Sequence, residues 1–170
     1  QHYSIQWNLN QSTALSPGLA NEDINVCNAW SVKNRDQEVS NVDGNGIKVA
    51  VLDDDVDMNH PDLQNVVGYY DATHPNNCPS TQTPSWYIGY GFLPYNTHGT
   101  HCAGIIGATK NNTIGMAGIA EGASIYGIRI FFNVYTLGCP TSGSASYLSF
   151  TDWAACGINY AVNDYDVDIL

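Results

Sequence analysis

The stretch Thr97-His98-Gly99-Thr100-His101-Cys102-Ala103-Gly104 is the most informative part of the sequence, because it places a histidine in a glycine-rich helical pattern. Gly99, Gly104 and Gly107 each cost about 1 kcal/mol relative to alanine in a helix interior. The segment, which extends to about Ala108, would therefore not hold a helix alone in water. A buried helix is predicted, in which the missing side chains let another backbone approach closely.

His98 is the candidate functional residue of this helix. It would lie in the first turn, with Thr97 suited to the N-cap position. The positive end of the helix dipole would favour the neutral imidazole that a general base needs. Because an isolated histidine is commonly a packed core residue, a catalytic interpretation needs a partner for it.

The partner is predicted at the end of an apolar run that precedes it in the chain. The run Ile47-Lys48-Val49-Ala50-Val51-Leu52 predicts a buried parallel strand, and it ends in Asp53-Asp54-Asp55-Val56-Asp57. Open α/β sheets place their active sites at the carboxyl ends of their strands. Asp53 ends the run directly and is predicted to orient His98, as the aspartate does in a Ser-His-Asp relay. Asp54, Asp55 and Asp57 compete for this role.

Two sequence boxes resemble those of the subtilisin-like serine proteases. Val49-Ala50-Val51-Leu52-Asp53, continued by Asn59-His60-Pro61-Asp62-Leu63, resembles their aspartate box, and residues 98–104 resemble their histidine box. Cys102 and the Asp53-Asp54 pair resemble residues of the kexin and proteinase K branches of this family. The resemblance implies an α/β fold, a doubly wound parallel sheet that is subtilisin-like. Residues 1–170 would be the N-terminal portion of a single catalytic domain, incomplete at the C-terminus.

The resemblance implies a serine endopeptidase that hydrolyses peptide bonds in proteins. Asp53 would orient His98, and His98 would act as general base toward a serine. The family's Gly-Thr-Ser-Met-Ala-like run does not occur here. The chain alone is therefore predicted to be inactive, with a C-terminal fragment that carries the serine as its partner. The alternative is a non-catalytic pseudoprotease subunit or a calcium-binding interaction domain.

Substrate contacts are implied by the same resemblance. Asp54 would line a subsite that favours basic side chains. Leu148 and Ser149 would belong to an edge strand that pairs with an extended protein or peptide substrate, and a loop before a helix is the alternative for this stretch. The family usually has glycine where Asp55 stands, so a different local backbone is expected at this turn.

A structural calcium site is the predicted cofactor site. Asp62 follows Asp53 by nine residues, and the loop from Thr109 to Met116 resembles the family's calcium loop. The predicted oxygen ligands come from the side chains of Asp62 and Asn112 and from the carbonyls of Thr109, Ile114 and Met116. Asn111 competes with Asn112 for the register.

Composition and charge limit the partners and the location that the sequence predicts. A net charge of −11 argues against nucleic acid and anionic membranes as partners, and no run of eighteen apolar residues occurs. The composition predicts a secreted or extracellular protein. Of the five cysteines, Cys102 is expected to be a free thiol by resemblance, and the other four could pair with each other or with a cysteine elsewhere in the protein.

The remaining predicted elements alternate between strand and helix, which favours a doubly wound sheet. Further strands are expected at 66–70, 123–130 and 167–170. Helices are expected at 23–30 and from about Ser144 to Asn163.

Overall fold

The computed structural model describes residues 23–32, 42–78, 97–134 and 146–170, together with Gln6 and Leu9. These parts of the chain contain three helices and five strands. In chain order they are α1 (Val26–Trp30), β1 (Lys48–Asp53), β2 (Val66–Asp71), α2 (His98–Gly107), β3 (Ser124–Arg129), β4 (Phe131–Val134), β5 (Ser146–Ser149) and α3 (Thr151–Asn163). Among them, no helix has the length and apolar character needed to cross a membrane.

A three-stranded parallel sheet carries the candidate site, with β3 between β1 and β2. β2 and β3 run in the same direction, and their pairing ends with Asp71 opposite Arg129. β1 follows that direction too, because the Ile47 carbonyl accepts a hydrogen bond at the start of β3 and the Asp53 carbonyl accepts one from Ile130 N–H at its end. The carboxyl ends of the three strands therefore lie at one edge of the sheet. This is the α/β fold that the sequence predicted.

The chain divides into two compact units. The first comprises Gln1–Ile47, Asn59–Asn65 and Gly104–Ser124, and the second comprises Lys48–Met58, Val66–Ala103 and Ile125–Leu170. The first unit has a small apolar core of Leu9, Val26 and Ala117, against which Trp30 packs.

In the second unit, two apolar clusters hold α3 on the sheet. One contains Ala50, Ile128 and Ala161, and the other contains Ala72, Cys78 and Trp153. A Cβ at Gly157 would lie 2.7 Å from Cγ2 of Ile130, so a larger residue there would push the helix away from the sheet. A disulfide between Cys78 and Cys156 joins α3 to the segment that follows β2.

The predicted start of α3 near Ser144 was wrong. Residues 146–149 instead form β5, which pairs antiparallel with β4. Phe150 has an extended backbone (φ −126°, ψ 149°) and sits at the N-cap, so the helix begins at Thr151. The strand is favoured because it pairs with β4, a partner distant in sequence that a local pattern does not show.

Two other predicted elements are shorter than expected. α1 begins at Val26 rather than Asp23, because Asn25 has a left-handed backbone (φ 55°) and its N–H is bound by the Asp23 carboxylate at 2.6 Å. The predicted strand at 167–170 appears as one parallel bridge, between Ile169 and Val49 of β1.

Candidate active site

Asp53 and His98 meet at the carboxyl edge of the sheet, within the second unit. Nδ1 of His98 lies 2.9 Å from Oδ1 and 2.8 Å from Oδ2 of Asp53. The Asp53 side chain is 11% exposed and the imidazole is 66% exposed. A buried carboxylate therefore holds one ring nitrogen, while the rest of the ring is accessible to a reacting group.

The pKa of His98 is raised above its usual value. The hydrogen bond to the Asp53 carboxylate is the largest cause, and the negative charge of Asp53 adds to it against a small opposing effect of burial. From the helix dipole alone, the sequence predicted an effect in the opposite direction. The dipole prediction was wrong in sign because a carboxylate in direct contact outweighs the partial charge of a helix end.

Asp54 fixes the amino end of α2. Its carboxylate accepts a 2.9 Å hydrogen bond from Gly99 N–H and a 3.4 Å hydrogen bond from His98 N–H. These are two of the N–H groups that a helix start leaves without an intrahelical partner. Thr97 supplies the first helical acceptor, because its carbonyl binds His101 N–H at 3.0 Å.

The position of Asp54 argues against the substrate contact predicted for it. The residue is 1% exposed, and burial is the largest cause of its raised pKa. A side chain so enclosed, with its oxygens bound to backbone N–H groups, has no surface to offer to a basic substrate residue. Sequence reasoning missed this capping role because the capped helix begins 44 residues further along the chain.

Gly99 is required where α2 meets the end of β1. A Cβ at this position would lie 2.3 Å from the Asp55 carbonyl oxygen and 2.8 Å from the Asp53 Cβ. The close backbone approach predicted from the glycine pattern is therefore present, and it brings His98 onto Asp53.

Cys102 lies one helical turn after His98. Its Sγ is 3.7 Å from His98 Nδ1 and 3.8 Å from Asp53 Oδ2, and it is not disulfide-bonded. Burial, followed by the charge of Asp53, raises the pKa of the thiol. The thiol is therefore held in its protonated form beside the carboxylate, which opposes a nucleophilic role.

The predicted substrate strand is present as β5. Leu148 is half-buried against the Trp153 cluster, and Ser149 Oγ donates to the Ile130 carbonyl at 2.9 Å. The neighbouring Tyr147 is 56% exposed. The predicted contact of Leu148 and Ser149 with substrate stays a prediction.

The residues predicted to hold calcium lie together in the first unit. Oδ1 of Asp62 accepts from the Asn112 amide at 2.6 Å, and its Oδ2 accepts from Met116 N–H at 2.8 Å. The Asp62 carbonyl binds Thr109 N–H at 2.9 Å, and Asn112 Oδ1 binds Ile114 N–H at 3.1 Å. The structure thus joins all five residues through hydrogen bonds, with Asn112 in contact with Asp62.

The same loop has an unusual backbone. Thr113 has φ 71°, in the left-handed region that a β-branched residue rarely adopts. A Cβ at Gly115 would lie 1.9 Å from Asp62 Oδ2, so the loop closes tightly on this carboxylate. Carboxylate, amide and carbonyl oxygens are ligands that suit Ca²⁺, and the calcium site stays a prediction.

An imidazole held by a buried carboxylate at the end of a parallel strand resembles the aspartate-histidine pair of the Ser-His-Asp hydrolases. Comparison with known proteins agrees with this class. A sequence model described as the subtilase family matches residues 44–155. The chain belongs to the subtilase family.

Individual relatives support this assignment. Thermitase of Thermoactinomyces vulgaris is 37% identical over 143 residues, which is 84% of this chain and 39% of thermitase. Neuroendocrine convertase 2 of Bos taurus is 30% identical over 149 residues, 86% of this chain and 21% of the convertase. The chain thus spans 39% or less of the length of these relatives. The serine protease of Aeromonas sobria, solved in complex with its chaperone, matches with a TM-score of 0.52 and 30% identity over 74% of this chain and 19% of that one.

Proposed function

We propose that this chain supplies the aspartate and histidine of a serine endopeptidase site. The observation that carries the proposal is the double contact of Asp53 with Nδ1 of His98. With Nδ1 bound to the carboxylate, the neutral imidazole keeps its proton on that nitrogen and presents Nε2 as the base. Asp53 then stabilises the imidazolium that forms when His98 takes a proton from the nucleophile.

The nucleophile is a serine on a segment outside residues 1–170. His98 removes the proton of that serine as it attacks a peptide carbonyl, and then donates the proton to the leaving amine. The substrates are proteins or peptides, bound through main-chain pairing along β5 (Ser146–Ser149). The Cys78–Cys156 disulfide supports a secreted or extracellular location.

Covalent labelling tests the proposal in a preparation that contains the serine segment. A fluorophosphonate probe should label the serine at a rate that falls about 10⁴-fold or more in His98→Ala. His101→Ala is the matched control, because His101 is exposed on the same helix and should label at the normal rate. Equal labelling of His98→Ala and the parent protein would show that His98 is not the base. No labelling of the parent protein would favour a non-catalytic subunit.

We also propose that Asp62, Asn112 and the carbonyls of Thr109, Ile114 and Met116 hold a structural calcium ion. The strained backbone at Thr113 (φ 71°) supports the proposal, because such strain persists where the surroundings impose it, commonly at ligand sites. Calcium would supply a positive charge for the buried Asp62 carboxylate and stabilise the loop.

Calcium at 100 times its dissociation constant should stabilise the folded chain by about 2.7 kcal/mol. Thermal denaturation in calcium and in excess chelator measures this difference. Asp62→Asn should remove the dependence on calcium. Asp164→Asn, at the C-cap of α3 in the second unit, should keep it. A melting temperature that is the same in calcium and in chelator would contradict the site.

A further inference from the structure

Arg129 is a fully buried cation at the carboxyl edge of the sheet. It ends β3, the middle strand, and its side chain is 0% exposed. A buried charge is costly unless it is paired and hydrogen-bonded, and sequence reasoning gave Arg129 no role. Arg129 therefore needs charged or polar partners at the edge of the sheet where Asp53 and His98 lie.

The guanidinium binds the chain at the ends of both neighbouring strands. Nη1 donates to Oδ2 of Asp71, the last residue of β2, at 3.1 Å. Nη2 donates to the Asp55 carboxylate, and Nε donates to the Asp54 carbonyl at 3.1 Å. We name this set of four residues, Arg129, Asp54, Asp55 and Asp71, the arginine clasp.

We propose that Arg129 is a positioning residue for the Asp53–His98 pair, an inference that rests on the proposed function. The planar guanidinium has its donors in a rigid fork, so it fixes the segment after β1 relative to β3 and β2. Asp55, which stands where the resemblance implies glycine, supplies one anchor of this fork.

The clasp reaches the catalytic pair through Asp54. Arg129 holds the carbonyl of Asp54, while the carboxylate of the same residue holds the N–H groups of His98 and Gly99. Asp53 immediately precedes Asp54, and its carbonyl is tied to Ile130 N–H at 3.0 Å. A change in the fork therefore shifts both partners of the Asp53–His98 hydrogen bond.

A merely structural ion pair makes a different prediction for the pKa of His98. In Arg129→Lys the charge is kept, so a structural role leaves that pKa unchanged. If the fork positions Asp53, the hydrogen bond loosens and the pKa of His98 falls toward the ordinary histidine value, by about 0.5 units or more. Lys48→Arg is the matched control, because it also conserves charge and Lys48 lies at the amino end of β1, where it pairs with Asp166.

The measurement is an NMR titration of the His98 ring protons in these chains, with circular dichroism to verify folding. A lower pKa of His98 in Arg129→Lys, with no change of that pKa in Lys48→Arg, supports the positioning role of Arg129. An unchanged or higher pKa in Arg129→Lys overturns it. If Arg129→Lys does not fold, Asp71→Glu replaces it, since it conserves charge at a side chain that is 12% exposed. A lower pKa of His98 in Asp71→Glu supports the proposal, and an unchanged pKa overturns it.

The titration needs no serine segment, so it separates this inference from the proposed function. In a preparation that carries the serine, Arg129→Lys should lower kcat about tenfold with KM changed less than about twofold. If the parent protein has no peptidase activity, the proposed function fails, and the pKa of His98 still decides whether Arg129 positions the pair.

Discussion

Asp54 shows how one residue connects the end of β1 to the start of α2. Its two carboxylate oxygens take hydrogen bonds from the first N–H groups of α2, and the N–H of the next residue binds Oδ1 at 2.7 Å. The residue is almost completely buried, and burial raises its pKa because it disfavours the charged carboxylate. Its hydrogen bonds to the helix start offset part of this cost.

Asp54→Ala should destabilise the chain by about 1 kcal/mol or more, the usual cost of losing an N-cap acceptor. Asp54→Asn should cost less, because the amide oxygen still accepts the Gly99 N–H and a neutral group is easier to bury. Urea denaturation of the two variants measures the difference. Equal losses of stability would contradict the capping role.

At the scale of elements, α2 is a helix whose sequence serves its contacts rather than its own stability. Its first turn lies against the end of β1, and this close contact leaves no room for a side chain at Gly99. Gly104 is different, since a Cβ there would lie 3.5 Å from the Met116 sulfur, an ordinary contact distance. Of these two glycines, only Gly99 is required by a close approach of the backbone.

Gly99→Ala should destabilise the chain by about 2 kcal/mol, because the new methyl group meets backbone and Cβ atoms that cannot move freely. Gly104→Ala should be neutral or stabilise it by up to about 1 kcal/mol through better helix propensity. Chemical denaturation of both variants measures these changes in stability. A harmless Gly99→Ala would contradict the close approach of α2 to β1.

The elements also show what a sequence can predict. β1, β2, β3 and α2 were predicted within a residue or two, because each is a continuous apolar run or a bounded pattern. The start of α3 was missed because β5 depends on β4. The Arg129 clasp was missed because the partners of Arg129, Asp55 and Asp71, are distant from it in sequence.

Across the whole chain, the Asp53–His98 pair and the predicted calcium loop belong to different units. Asp53 and His98 lie in the second unit, and Asp62 with the loop to Met116 lies in the first. The chain carries a net charge of −11, and the described parts rely on small apolar clusters. The disulfide between Cys78 and Cys156 supplements the core of the second unit. Its pairing could not be predicted, because sequence does not give connectivity.

Loss of the disulfide should cost about 4.5 kcal/mol, which corresponds to the entropy of closing a loop with a sequence separation of 78. Cys78→Ala/Cys156→Ala should therefore melt at a lower temperature than the parent chain. A reductant should destabilise the parent by a similar amount and leave the double variant unchanged. A double variant as stable as the oxidised parent would contradict this contribution.

Titration of His98 in the parent chain and in Asp53→Asn tests whether the Asp53 carboxylate holds the imidazole. Because the Asp53 carboxylate favours the charged imidazole, the pKa of His98 should lie above the ordinary value of about 6.5 in the parent. In Asp53→Asn it should fall toward that value or below it, since the negative charge is lost and the site still excludes some water. A parent His98 with an ordinary pKa that Asp53→Asn does not change would show that the two side chains do not form a hydrogen-bonded pair.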